Sequence, residues 1–256
     1  MRSFLAFFKK ECLEHVRSGG LFIFGLVFML FGIMNPAIAK LTPWLMETLS
    51  DSLAESGMVV TTVKVDAMTS WVQFFKNIPM ALIIFVLMES GIFTREYQSG
   101  TLVLVLTKGF GRWKVVTAKA LLLLLLWTAC YWFCFFITYG YNAYFWDNSI
   151  AQNLLPSVAY WWLLGVWTLS LVILCSVFFD NGSQVLLGTG GIFLASYLLG
   201  FLPKLTEWVP THLMDSTSLI YGAAETAEYG MAVVVAIGCI ILNGILSILY
   251  MRSKRL

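Results

Sequence analysis

Charge is what this chain has least of. Only 12% of its 256 residues are Asp, Glu, Lys or Arg, 59% are hydrophobic, and the mean hydropathy is +0.83. A water-soluble domain of this length needs more polar surface, so the expected solvent is the bilayer. Histidine is nearly missing: His15 and His212 are the only two. No HExxH and no pair of intramembrane aspartates occurs, which leaves convergent metal or acid–base catalysis without residues, and no catalytic or metal-binding residue is expected. No G-x-x-x-x-G-K-[ST] loop occurs either. "GTGGIFL" lacks the lysine and lies inside an apolar run, which excludes ATP hydrolysis by a phosphate loop within this chain. The acids are too few for a proton-carrier relay: Glu89 alone approaches a span interior, near its inner end, where a structural role is the reading. A net charge of +2 is too small to suggest nucleic acid.

What is abundant is apolar sequence. Six runs, at 20–39, 71–93, 115–139, 155–179, 184–202 and 231–251, are long enough to cross about 30 Å of hydrocarbon as helices. Lys and Arg set the orientation. With the N-terminus inside, twelve of the sixteen fall on the inner side and nine of the fourteen acids on the outer side. The expected fold is all-α, six transmembrane helices with both termini in the cytoplasm, a multi-pass plasma-membrane protein. The first run starts too late and is too long for a cleavable signal peptide. The five cysteines, Cys12, Cys130, Cys134, Cys175 and Cys239, avoid the outer loops, which argues against a disulfide framework.

Residues 1–19 precede the first run as an amphipathic interfacial helix, and residues 20–256 form the six-helix domain. On that first helix Phe4, Leu5, Phe8, Cys12 and Val16 share an apolar side, opposite Lys10, Glu14 and Arg17. The charged side is expected to meet a cytoplasmic partner. Asn35-Pro36 should free a carbonyl one turn earlier in the first span, with a kink as the consequence. Gly188, Gly191 and Ala195 form a small-residue face in the fifth span. These five residues mark a candidate pathway or dimer interface. Asn243 should bond to a neighbouring helix. Tyr139 to Trp146 and "YWW" at 160–162 read as outer interfacial belts, and the link before the last span reads as short re-entrant outer helices.

Residues 95–114, "REYQSGTLVLVLTKGFGRWK", interrupt the apolar pattern on the inner side. An isolated strand there has no partner, so a short helix over about 98–109 is expected, with Ser99 as its cap and Gly109 as its end. Its apolar run is too short to span and too greasy for water. Such a knob wants a groove on another protein.

This segment resembles the loop of ABC-2-type transporter permeases, the membrane subunits of ABC exporters. Glu96, Gly100, Thr101, Leu102, Leu104, Leu106, Thr107, Arg112 and Lys119 match the family pattern in register. Val103 stands where the family usually has glutamate, and Gly109 where it usually has proline. The resemblance implies a membrane permease with no ATPase site of its own, powered by two copies of a separate cytoplasmic ATPase that binds ATP and Mg. The short helix would be a coupling helix, with Glu96 and Arg112 as polar clamps and Leu102 and Leu106 as a hydrophobic seat. Gly100 and Thr101 would belong to the same contact. A second permease copy, making a homodimer, would complete a unit that exports a hydrophobic or amphipathic drug or peptide. Alternatives at this stage are sodium, lipid or polysaccharide export, or an ATP-independent channel or scaffold.

Overall fold

The structure, a computed structural model, describes residues 2–55, 65–107, 109–215 and 217–254. The inner charges expected at Lys108 and Arg255, and the outer Lys64, lie outside the described residues. Among those described, the chain is 85% helix with no strand. In order, α1 is Arg2–Arg17, α2 Gly20–Glu55, α3 Ala67–Glu89, α4 Thr94–Ser99, α5 Thr101–Thr107 and α6 Arg112–Phe145. Then follow α7 Leu154–Phe178, α8 Gly182–Leu199, α9 Thr217–Ile220 and α10 Gly230–Ser253. Six helices are long and apolar enough to cross a membrane. The end carrying α1, α4, α5 and the last turn of α10 is called the inner end below, because the basic residues concentrate there.

The first span does not stop where the sequence turns polar. Helix α2 runs on to Glu55, beyond the apolar part Gly20–Trp44. The extension is rich in Leu, Met, Ala and Glu, good helix formers, and polarity alone does not end a helix. Pro36 lies inside α2. The carbonyl it frees is that of Gly32, and the Thr138 hydroxyl of α6 donates to it at 3.0 Å. Asn35 donates from Nδ2 to Thr138 Oγ1 at 3.1 Å, Asn77 of α3 to Asn35 Oδ1 at 2.8 Å, and Gln73 to Asn77 at 3.3 Å. One polar chain thus ties α2, α3 and α6 together where a lone amide in hydrocarbon would be costly. Asn35 is buried at 1% exposure, within the bundle.

The core is aromatic. Trp71, Phe74, Phe85, Trp127 and Tyr131 are fully buried and meet at ring distances of 5.3 to 6.1 Å. Two polar tips go to α7: Trp127 Nε1 donates to Trp162 O at 3.1 Å and the Tyr131 hydroxyl to Val158 O at 2.7 Å, while Trp71 Nε1 donates to Asn148 Oδ1 at 3.1 Å. Gly165 makes this fit possible, since a Cβ there would lie 2.2 Å from the Trp127 ring. Asn243 of α10 donates to Ser170 of α7 at 2.9 Å, the interhelical bond expected of it.

Helix α8 sits at the edge against α7, with Val185 and Thr189 as its buried residues. A Cβ at Gly188 would meet Phe179 at 2.8 Å, whereas one at Gly191 would meet nothing within 4 Å. Gly188 therefore serves packing within the chain, while Gly191 and Ala195 face outward. The expected belts differ from each other. Tyr144 is 80% exposed, but Trp161 is buried and Tyr160 stacks on Tyr229 at 5.3 Å. Between α8 and α10 the chain forms α9 and short 3-10 turns, fixed by the Tyr229 hydroxyl donating to Asp215 O at 2.6 Å.

Candidate functional site at the inner end

Helix α1 docks on the bundle by a face the apolar pattern does not single out. Phe7 and Glu11 are buried, with Phe4, Phe8, Cys12 and His15 partly so. Leu5, Leu13 and Val16 remain exposed as a separate apolar stripe. Lys10, Glu14 and Arg17 form an exposed charged flank. Three sectors replace the two expected, because Glu11 turns inward to meet a buried cation.

That cation is Lys119 of α6, 2% exposed, whose Nζ donates to Glu11 Oε2 at 2.7 Å. Glu96 of α4 lies 3.3 Å from both Lys119 and Lys10. Lys10 also pairs with Glu11 at 3.0 Å and with Glu14 at 2.7 Å. Burial works to raise the Glu11 pKa, but Lys119 above all, then Lys10, outweighs it and holds the carboxyl below the ordinary carboxylate range. Burial likewise opposes the charge on Lys10, and its bonds to Glu14 and Glu11 outweigh that, keeping it well above the ordinary lysine value. The network joins three elements, α1, α4 and α6, with one short buried joint and one longer one at Glu96.

The link between α3 and α6 is two helices rather than one over 98–109. They are separated by Gly100, whose φ of +68° closes α4 in the left-handed region. A side chain is disfavoured there, which explains the glycine of the Gly-Thr-Leu pattern. The Ser99 hydroxyl meets Glu96 O at 3.4 Å and Thr101 Oγ1 at 2.9 Å, so it caps no amide of α5. Gly109 has φ +80° and its amide donates to Leu106 O at 3.0 Å. Proline is locked near −65° and has no amide hydrogen, so the turn made here is one that proline cannot make.

The candidate contact residues distribute unevenly. Leu102 is 0% exposed and packs inward, so it seats α5 on its own chain. Leu106 is half-buried; Val103 and Leu104 face out at 40% and 63% exposure. Glu96 and Arg112, expected as clamps on a partner, are turned to groups of this chain. Arg112 donates to the carbonyls of Met251, Arg252 and Lys254, capping the C-terminus of α10. Lys254 in turn donates to Val177 O at 2.9 Å and pairs with Asp180 at 2.7 Å. Sequence reasoning missed Glu11 and the burial of Lys119. The signal available was an acid one turn after Phe7 on the helix face that also carries Phe4.

A family model described as "ABC-2 family transporter protein" matches residues 5–214, which include most of α1, the α4–α5 link and the first five spans. No curated protein and no solved structure matches the chain. With most of its length matched and six apolar helices of spanning length, the chain belongs to the ABC-2 family of transporter proteins and is a multi-pass membrane permease.

Proposed function

We propose that this permease is the membrane subunit of an ABC exporter in a plasma membrane, driven by a separate ATPase that docks on α5. The observation that carries this reading is the exposed apolar pair Val103 and Leu104 on a seven-residue helix at the inner end, beside the buried anchor Leu102. Two exposed apolar side chains on a helix too short to span favour a groove on a partner. The seat thus moves from Leu102 and Leu106 to Val103 and Leu104. Val103, in place of the usual glutamate, gives the groove an apolar contact. The charged flank Lys10, Glu14 and Arg17 lies on the same end and is a second surface for the ATPase. Two ATPases binding ATP and Mg would close, move α5, and pass the displacement through Glu96 and Lys119 into α1 and α6.

A homodimer fits the outward apolar face of α8, where Gly191 and Ala195 let a second backbone approach. The cargo favoured is hydrophobic or amphipathic, moved by alternating access. In reconstituted vesicles holding permease and ATPase, amphipathic peptides should stimulate ATP hydrolysis more than sodium does. The reverse ranking overturns the cargo assignment. Failure of any ATPase to co-purify with the intact permease overturns the exporter reading itself.

A further inference from the structure

Three spans, α6, α7 and α10, leave a groove of about 290 Å³ between them. Thr117 and Leu124 of α6, Val166 and Ile173 of α7, and Ile240 and Gly244 of α10 lie along it. The next residues on two of these helices, Leu125 and Ile241, are exposed, so the groove opens sideways, to the surroundings of the bundle. A Cβ at Gly244 would meet nothing within 4 Å, which leaves free space above that backbone. No ionisable side chain lines the groove. Its hydroxyl protons are already used: Thr117 donates to Trp113 O at 2.8 Å and Ser170 to Trp167 O at 2.6 Å. Ser170 also accepts from Asn243 at 2.9 Å. With no donor left, an apolar occupant is the one that loses nothing by entering.

The two ends of the groove differ. At 1.5 Å per residue from the inner helix ends, it covers about 8 to 18 Å along α6 and α7 and about 14 to 20 Å along α10. In a hydrocarbon layer about 30 Å thick, that is the depth of the inner leaflet. Beyond Leu124 and Val166 the groove is stopped. One turn further out, Trp162 of α7 crosses to α6 and donates from Nε1 to Thr128 Oγ1 at 3.1 Å. One turn inward from Thr117 stands Trp113, 45% exposed, a residue type that settles at the headgroup boundary. Lys114 Nζ lies 5.8 Å from its ring. Arg112 of α6 donates to Arg252 O at 3.1 Å, which brings the exposed Arg252 of α10 to the same mouth. Neither Lys114 nor Arg252 has a carboxylate within 4.0 Å among the described residues. The mouth is cationic, the walls are apolar and the far end is closed.

We propose that this groove holds one acyl chain of an anionic phospholipid of the inner leaflet, its phosphate beside Lys114 and Arg252 and its chain running past Thr117 to end against Trp162. A phosphate at the mouth supplies the counter-ion that both cations lack, at the depth where headgroups lie. A second helix is excluded by width, since it measures about 10–12 Å across with its side chains and the groove is only about 10 Å long. A free anion would satisfy the mouth and leave the groove empty. The bound chain would fasten α6, the helix of Lys119, to α7 and α10. The assignment is independent of the exporter reading, because the lipid is a fixture of the bundle and not its cargo.

The test is native mass spectrometry of the permease alone, purified in detergent and titrated with phosphatidylglycerol or with phosphatidylcholine of the same chains. The first phosphatidylglycerol should bind about fivefold tighter than the first phosphatidylcholine, the worth of one lysine beside an anionic headgroup. Inorganic phosphate, with charge and no chain, should not displace it. Gly244→Leu puts a side chain into the groove and a better helix former into α10, and should weaken the first phosphatidylglycerol about tenfold. Gly238→Leu, at an exposed position of the same helix where a Cβ also meets nothing within 4 Å, should leave it unchanged. Lys114→Gln with Arg252→Gln should bring phosphatidylglycerol down to the affinity of phosphatidylcholine. Thermal unfolding verifies that each variant folds. If Gly244→Leu does not, the wild-type headgroup ranking and the Lys114→Gln, Arg252→Gln protein decide. Equal affinity of the two lipids for wild type, an unchanged first site in Gly244→Leu, or the same loss in Gly238→Leu overturns the proposal. So does a Gly244→Leu protein that keeps its lipid and loses a dimer, which would give the groove to a second copy.

Discussion

Lys119 shows how one residue can decide the inner end. It lies seven residues into α6, in an otherwise apolar helix face, yet is fully buried against Glu11 at 2.7 Å. Removing one member of a buried pair leaves the other charge stranded, at a cost of about 3–5 kcal/mol. Lys119→Met should therefore destabilise the permease by roughly that amount, whereas Glu11→Met with Lys119→Met should recover most of it, since Glu96 keeps Lys10. Thermal unfolding of the four proteins in the cycle measures this. The pH dependence has a fixed sign. A carboxyl depressed in the folded state adds stability above its free pKa and loses it as pH falls through the depressed value. Docking of α1 should thus persist at neutral pH and fail only in acid, below the ordinary carboxylate range. Hydrogen exchange of the α1 amides between pH 7 and pH 3 follows it. The helical period of residues 1–18 was readable in the sequence, but the rotation that buries Glu11 was not. It depends on a partner 108 positions away.

At the scale of elements, the α4–α5 link is shaped by two left-handed glycines. Gly100→Ala should cost about 1–2 kcal/mol, the penalty of a Cβ at positive φ. Gly109→Pro restores the residue usual in the family but cannot adopt φ +80°. It should raise protease sensitivity of residues 101–114 and weaken ATPase docking. Equal digestion of both proteins would contradict that. The motif itself was legible, and so was the left-handed end at Gly109. The break at Gly100 was not, because the apolar run of five at 102–106 reads as continuous with the residues before it until backbone angles are known. The same holds in α2, whose apolar run ends at residue 39 in the sequence while helix-forming residues carry the helix on to Glu55. The Asn35-Pro36 pair was legible as a freed carbonyl. Its partner Thr138 was not, being 106 residues from Gly32.

For the whole molecule, the six spans, the all-helical class and the permease family could be read from hydropathy and the 95–119 motif, because lipid demands long apolar helices. The distribution of roles could not. Glu96 and Arg112, charged residues of the motif, fasten this chain's own helices, and the outward surface falls to Val103, Leu104 and the face of α8. If α8 meets a second copy, Gly191→Cys should cross-link to itself in membranes, and Gly188→Cys, packed on Phe179, should not. Cross-linking of both or of neither would contradict a dimer through this face.

The most direct measurement concerns the partner of α5. The permease and its candidate ATPase are co-expressed, the permease is purified, and bound ATPase is quantified for wild type, Leu104→Asp and Leu205→Asp. Leu205 is an exposed leucine of the link between α8 and α10, far along the chain from α5, and serves as the control. The expected result is stoichiometric ATPase with wild type and the control, and at least a tenfold loss with Leu104→Asp in a protein that still unfolds at the wild-type temperature. ATPase retained undiminished by Leu104→Asp would contradict docking on α5.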